Sequence, residues 1–185
     1  MSSPRLETAR LVLRRFEDAD RAAFYALNAD PEVRAYFPGV MSRADSDAFV
    51  DRINHSIDTL GFGFFCAEWR ATGECIGMVG LARPIFDANF TPCIEVGWRL
   101  ARPFWGMGLA TEGAREALRF GFEDLAAEQI FSFTVPANQR SWRVMERLGM
   151  QRLGEFDHPA LPEGDRLRRH VLYRLRRSEW QAIGR

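Results

Sequence analysis

The spacing of hydrophobic and polar residues changes several times along this chain, and each change marks a new element. Residues 10–16 alternate as in a β-strand, and residues 17–33 then place acidic residues ahead of an apolar stripe, which is typical of an opening helix. Ser42 can cap a second helix over 42–61, which Gly61 can end. The first third of the chain therefore predicts one strand and two helices.

A period of two returns in the middle of the chain. Residues 62–70 and 75–85 read as strands, and the turn residues at 71–74 join them into an antiparallel hairpin. Residues 93–100 predict another strand, which leads into a glycine-rich loop. The remaining elements are a helix, a strand, a second helix and two final strands, at 109–125, 129–135, 138–149, 150–156 and 167–177.

This order of elements combines hairpins with one strand-helix-strand crossover over 94–135. It predicts a protein of the α/β class (α+β, mixed sheet), with about seven mostly antiparallel strands and helices on both faces. Repeats, low-complexity segments and long linkers are missing from the sequence, so residues 1–185 are expected to form a single domain.

Composition and charge exclude several classes of function. The 25 basic and 25 acidic residues cancel, so neither nucleic acid nor a membrane surface is an expected partner. Every basic residue is an arginine, which excludes a Walker phosphate loop and a Schiff-base lysine. Cys66, Cys75 and Cys93 lack metal-site spacing and read as small buried hydrophobes, so no metal is expected. Without an apolar run of signal or membrane length, a cytoplasmic protein is the expectation.

The glycine-rich loop, within FWGMGLATE at 104–112, is the strongest candidate for chemistry. A helix N-terminus offers unpaired N–H groups and the positive end of the helix dipole, and Gly106 and Gly108 let an anion approach the main chain. Spacing alone also permits a turn that merely joins a strand to a helix. A dinucleotide fingerprint fits less well, because the surrounding strands do not alternate with helices as it requires.

Together with its neighbours, this loop resembles the Gcn5-related N-acetyltransferase (GNAT) family, and within it the RimJ/RimL-type branch of ribosomal-protein N-terminal acetyltransferases. The resemblance implies the GNAT fold and an enzyme that moves an acetyl group from acetyl-CoA directly to a primary amine without a metal. Four segments carry it: RLETARLVLRRFEDADRAAFYALNADPEV, IEVGWRL, WGMGLATEG and NQRSWRVMERLGM, which start at residues 5, 94, 105 and 138.

The resemblance also implies where acetyl-CoA binds. The pantetheine would pair with the backbone of 98–100 like an added strand, and the amides of 107–111 would hold the pyrophosphate. Trp105 stands where the family usually has glutamine or arginine, which removes one polar side chain near the cofactor. The implied cofactor-binding residues are Trp98, Arg99, Leu100, Gly106, Met107, Gly108, Leu109, Ala110, Thr111, Asn138 and Ser141.

Glu95 and Ser141 are the catalytic candidates. Glu95 interrupts an apolar strand where this branch often carries a carboxylate, and it would act as general base; the alternative is a carboxylate on a solvated strand face. Ser141 would lie near the sulfur, and Asn138 against the pantetheine or as a helix cap. Many relatives have a tyrosine that protonates the departing thiolate at the position where this chain has Met145. Here Ser141 or a water would protonate the thiolate, or the reaction would proceed without a dedicated acid.

The acceptor amine is left open between a protein N-terminus and a small molecule such as an amino acid, a polyamine or an antibiotic. The alternative function is a non-catalytic module that binds and senses acyl-CoA. His158 and His170 either line the amine pocket or are structural, the second on the outward face of the last strand. That strand is expected to be an exposed edge, which with Trp69, Phe86 and Phe90 would suit a homodimer.

Overall fold

The computed structural model describes residues 3–183, and these form one eight-stranded, mostly antiparallel sheet with five α-helices. The strands are β1 Leu6–Glu7, β2 Leu11–Arg14, β3 Phe64–Trp69, β4 Glu74–Ala82, β5 Glu95–Leu100, β6 Gln129–Thr134, β7 Gln151–Asp157 and β8 Arg169–Arg176. The helices are α1 Arg21–Asn28, α2 Arg43–Leu60, α3 Leu109–Arg119, α4 Gln139–Arg147 and α5 Arg177–Ile183. The order across the sheet is β1-β2-β3-β4-β5-β6-β8-β7.

The predicted class and the predicted order of elements are confirmed, with two additions. Strand β1 has two residues, too few to show a period in the sequence. Helix α5 begins at Arg177, within the segment predicted as the last strand, and the Glu179 carboxylate accepts a hydrogen bond from the N–H of Arg176 at 2.7 Å. A carboxylate that accepts at the start of a helix stabilises it there, so the strand ends at Arg176.

Helix α2 begins and ends at the predicted residues. The Ser42 hydroxyl accepts a hydrogen bond from the N–H of Asp45 at 3.1 Å, and Gly61 ends the helix with φ +77°. The apolar stripe of α2 buries Ile53 and Ile57 in the core. Serine capping and a left-handed glycine are local signals, which explains why the sequence predicts this helix so closely.

Strands β5 and β6 are the one parallel pair, and they separate almost at once. Their register contains a single pair, Glu95 with Phe131, next to a hydrogen bond from the Phe131 N–H to the Ile94 carbonyl at 2.9 Å. We call this pair the vertex. Beyond it the two strands separate towards their carboxyl ends, and the gap between them is called the splay. The crossover helix α3 joins them and packs close to the sheet, because Gly113 has no Cβ to meet Leu11 and Val79.

The last strand is not an edge, so that prediction was wrong. Strand β8 lies between β6 and β7 and pairs with both, and β7 forms the edge instead. Three successive residues of β8 are buried, Val171, Leu172 and Tyr173, and such a continuous buried run is characteristic of a strand that is covered on both faces of the sheet. Trp69 also lies against the molecule, with its ring 5.1 Å from that of Phe104.

Within residues 3–183, the helices are all too short or too polar to cross a membrane.

Candidate active site

The glycine loop lies at the carboxyl end of β5 and is exposed to solvent. Gly106 and Gly108 have φ of +78° and +80°, a conformation that residues with a side chain rarely adopt. Helix α3 begins immediately afterwards, so the N–H groups of Leu109, Ala110 and Thr111 have no partner within the helix. The loop therefore presents free backbone donors at the positive end of a helix dipole.

A clamp from the N-terminal strands holds this loop. Glu112 accepts hydrogen bonds from the Thr8 hydroxyl at 2.6 Å and from the Arg10 N–H at 2.8 Å. The Arg10 guanidinium pairs with Glu112 at 2.6 Å and donates to the Met107 carbonyl at 3.0 Å. Sequence reasoning missed Arg10, because 97 residues separate it from Met107. Its guanidinium adds a positive charge beside Gly108.

Trp105, the departure from the family pattern, has a structural role at the end of β5. Its indole N–H donates to the Leu100 carbonyl at 2.7 Å. The Arg140 guanidinium of α4 lies over the indole ring, 4.7 Å from its centroid. Trp105 therefore ties the loop to the strand and holds a second arginine close to the loop.

The backbone N–H and C=O groups of β5 alternate in direction, and this decides which of them face the splay. The Ala101 N–H bonds to the Ile76 carbonyl, whereas the Ile94 carbonyl bonds to β6. Because directions alternate along a strand, the N–H and C=O of Val96, Trp98 and Leu100 point towards β6. Those of Arg99 point towards β4. The Val96 N–H belongs to the single β5–β6 pair, and the Leu100 carbonyl accepts from the Trp105 indole. The Val96 carbonyl and both backbone groups of Trp98 have no strand beside them, so this part of β5 offers an open backbone edge.

Glu95 lies at the vertex of the splay. Its side chain lies on the same face of the sheet as that of Arg99. Gly97, between them, has no side chain, and the Glu95 Oε1 lies 3.7 Å from the point that a Cβ on Gly97 would occupy. Burial raises the pKa of the Glu95 carboxyl to about 8, with no basic group offsetting it. The side chain is still partly accessible to solvent. Glu95 is thus a carboxylate poised to exchange a proton near neutral pH rather than one on a solvated strand face.

Arg99 is held beneath the segment that joins α1 to α2. Its Nη1 donates to Asn28 Oδ1 at 2.7 Å, and its guanidinium lies 4.2 Å from the centroid of Phe37. Burial, followed by the nearby charge of Arg34, lowers the pKa of Arg99 to about 9. This side chain anchors the α1–α2 segment over the same face of the sheet as Glu95.

Asn138 and Ser141 lie at the start of α4, which follows β6. Asn138 occupies the N-cap position, but its side-chain amide donates to the Thr134 hydroxyl at 2.9 Å and makes no cap hydrogen bond. Ser141 is partly exposed, and its N–H donates to the Asn138 carbonyl. Met145 is 1% exposed and belongs to the core. The first turn of α4 therefore lies on the β6 side of the splay, opposite the glycine loop.

An aromatic group covers the β6-β8-β7 part of the Glu95 face. It includes both histidines, whose ring centroids are 5.2 Å apart, so His170 does not lie on a solvated face. Burial lowers the pKa of each histidine. Arg166 crosses from the β7–β8 loop and donates to the Ala35 carbonyl at 3.2 Å, which connects this loop with the α1–α2 segment. The aromatic members are Phe86, Phe90, Phe131, Phe133 and Phe156.

Two of the cysteines lie together in the core. The thiols of Cys66 and Cys75 and the carboxylate of Asp20 are within 4.8 Å of one another and are buried. Arg14 already pairs with Asp20 at 2.7 Å, and the hydrogen bond to Cys75, together with burial, raises the pKa of the Cys66 thiol. Metal ligation needs thiolates and a free carboxylate, so these residues do not fit a metal.

Comparison with known proteins places this geometry in a family. Residues 10–151 match the family model described as an acetyltransferase (GNAT) domain. The chain is 30% identical to the FsC-acetyl coenzyme A-N(2)-transacetylase of Aspergillus fumigatus, over 97% of this chain and 79% of that protein. It is 27% identical to the ribosomal protein uS5-alanine N-acetyltransferase of Escherichia coli, over 95% of this chain and 92% of that one.

The fold agrees with these matches. An acetyltransferase of the GNAT family from Bacillus anthracis superposes with a TM-score of 0.79 at 25% identity, over 95% of this chain and 99% of that one. The resemblance to the GNAT family and to its ribosomal-protein acetyltransferases is therefore confirmed. The chain belongs to the GNAT family of acetyltransferases, which are transferase enzymes that in general use acetyl-CoA.

Proposed function

We propose that this protein is an acetyl-CoA-dependent N-acetyltransferase that moves an acetyl group directly to a primary amine, and that residues 1–185 form a single domain for this reaction. One observation carries the proposal: a carboxylate with a raised pKa, Glu95, lies at the vertex where β5 and β6 separate. A reaction at this vertex has a proton acceptor and an open backbone edge at hand.

The residues around the splay fit acetyl-CoA. Free N–H groups of the first turn of α3, with Arg10 beside them, suit a pyrophosphate. The β6-facing backbone groups of Trp98 and the carbonyl of Val96 suit the amides of a pantetheine, which would add to the sheet as an extended segment. When bound there, acetyl-CoA supplies an acetyl group activated as a thioester.

Glu95 is assigned as the general base. An ammonium cannot attack a carbonyl, so a proton must leave the amine, and the Glu95 carboxylate accepts it directly or through one water. The N–H group of Trp98 points into the splay and can donate to the oxygen of the reacting carbonyl. Because this donor belongs to the main chain, it places little constraint on the side chain at 98.

Ser141 is assigned to the sulfur side of the site. It lies at the start of α4, across the splay from β5, with a partly exposed side chain. Its hydroxyl can donate to the departing thiolate. A thiol with an ordinary pKa near 8.5 is already a fair leaving group at neutral pH, so this donor would accelerate the reaction only modestly.

The acceptor is either a protein N-terminal amine or a small-molecule amine. One relative is named for acetylating ribosomal protein uS5 at alanine and another for N(2)-transacetylation of FsC, so the names alone support more than one acceptor class. The alternative of an acyl-CoA sensor without turnover has no observation in its favour, and the position of Glu95 opposes it.

Calorimetric titration with acetyl-CoA, followed by an amine screen for thiol release, tests the proposal. We expect saturable one-site binding of acetyl-CoA, no binding of NAD or ATP, and amine-dependent thiol release. Binding without turnover over a broad amine panel would support the sensor instead. Failure to bind acetyl-CoA at all would contradict both functions.

A further inference from the structure

A cavity of about 480 Å³ lies over the β6-β8-β7 part of the sheet. Its floor includes Phe131 of β6 and Arg174 of β8, and Phe90 of the β4–β5 loop forms part of its cover. Apolar and polar side chains contribute to the wall in about equal measure. Such a wall suits a small molecule that carries both apolar and polar groups.

The cavity lies in one row with the proposed general base. Glu95 pairs in register with Phe131, and Phe131 pairs in register with Arg174. Residues paired in register point to the same face of a sheet, and neighbouring strands are about 4.8 Å apart, so Glu95 and Arg174 are about 10 Å apart at their Cα atoms. Phe131 lies between them in the sheet, and the ring of Phe90, which also lines the cavity, is 5.6 Å from the Phe131 ring.

Arg174 has no anion to pair with among residues 3–183. Its Nε is buried and has no hydrogen-bond partner, and no described carboxylate forms a salt bridge with it. Glu155, the one acidic residue in the cavity wall, pairs with Arg152 at 2.8 Å and Arg169 at 3.8 Å. A buried guanidinium donor without an acceptor is unfavourable, and an anionic group of a ligand would satisfy it.

We infer that this cavity binds the body of the acceptor, and that the acceptor is an amine that also carries a carboxylate and an apolar side chain. The amine would lie at Glu95, the apolar part against Phe90 and Phe131, and the carboxylate at Arg174. A span of about 10 Å between the two Cα atoms, shortened by both side chains, suits a compact amino-acid-like molecule. This assignment rests on the proposed function, because Glu95 defines the amine end.

Binding of acetylated product analogues tests the assignment without turnover. N-acetylphenylalanine and its neutral amide differ only in the carboxylate, and neither has an amine whose own pKa would affect the comparison. Calorimetry on the intact protein, with and without coenzyme A, should show that the acid binds at least about tenfold more tightly than the amide, as one charge-assisted hydrogen bond would produce.

Three variants identify the source of the preference. Arg174→Gln should abolish it and Arg174→Lys should keep part of it. Arg176→Gln, which removes an exposed arginine of the same strand outside the cavity, should leave it intact. Equal affinity of acid and amide for the wild-type protein, no binding of either at millimolar concentration, or a preference that survives Arg174→Gln would overturn the inference.

The two proposals fail separately in this design. Acid-selective binding in a protein that does not bind acetyl-CoA would contradict the proposed function and leave only a carboxylate-selective cavity at Arg174. Turnover of neutral amines with no preference for the acid probe would contradict the acceptor assignment alone.

Discussion

The glycine loop leads into α3 on one face of the sheet, whereas Glu95 lies on the other face, and the two regions are built differently. The loop occupies one continuous stretch, and its donors are the main-chain N–H groups of Leu109, Ala110 and Thr111. The Glu95 face is built from side chains of β5, β6 and β8 and from the segments that join α1 to α2 and β7 to β8. One region is local backbone, and the other is assembled from distant side chains.

This difference indicates how each region should respond to mutation. Backbone donors persist when side chains change, so the loop is sensitive mainly to changes in backbone conformation. The Glu95 face depends on individual side chains whose burial sets their chemistry, as the pKa of about 8 for Glu95 illustrates. We therefore expect substitutions at the face to alter turnover and substitutions at the loop to alter cofactor affinity.

The largest effect is expected for Glu95→Gln. Removing the general base should lower kcat/KM by about a hundredfold or more, the usual range for such groups, and leave the Kd of acetyl-CoA unchanged. Thiol-release kinetics and calorimetry measure the two quantities. Activity near the wild-type level would show that Glu95 is not the base, and loss of cofactor binding would show that the two regions are not separable.

The pH dependence of the reaction should follow Glu95. Because burial raises its pKa to about 8, Glu95 is protonated and inactive as a base at lower pH, so kcat/KM should rise about tenfold per pH unit up to about pH 8 and then level off. The acceptor for this experiment should have an amine pKa well below 7, because such an amine stays uncharged and its own titration does not contribute to the pH dependence. The same profile in Glu95→Gln would assign the titration to another group.

Gly108→Ala tests the backbone of the loop. Gly108 has φ +80°, and its added Cβ would lie 3.6 Å from Arg10 Nη2, an ordinary contact, so the substitution costs about 1–2 kcal/mol through backbone conformation alone. We expect acetyl-CoA to bind about tenfold more weakly as the loop amides shift. Gly73→Ala in the β3–β4 turn is the matched control, with φ +74° and no atom within 4 Å.

Gly73→Ala should lose a similar free energy of unfolding while keeping the wild-type affinity for acetyl-CoA. Equal affinities in both variants would mean that the loop does not bind the cofactor through its backbone.

The smallest effect is expected for Arg10→Ala. This change removes one cation and the clamp on Met107, so the Kd of acetyl-CoA should rise about threefold, and less in high salt, because the charge is partly exposed. Arg5→Ala, at an exposed arginine paired with Glu7, is the control. The same change in Kd in both variants would show that Arg10 affects binding only through the net charge of the protein and not through its position at the loop.

Family membership and the position of the glycine loop before α3 could be predicted from the sequence, whereas the cavity on the Glu95 face could not. The glycines, Asn138 and Ser141 lie in short motifs. Such motifs can be recognised in the sequence without knowing which segments pack together in the fold. Arg174 belongs to the strand that the sequence predicts as an exposed edge. Its partner in the sheet is Phe131, 43 residues away in the chain, so no local pattern places it in a cavity.

The sequence by itself determined every element except β1 and α5, and their order, because hydrophobic period, Ser42 capping and left-handed glycines act within a few residues. Only the tertiary structure decided that β8 lies between β6 and β7 and that His158 meets His170. It also decided that burial raises the pKa of Glu95. Strand pairing and burial depend on residues far apart in the chain, and a one-dimensional pattern does not contain those contacts.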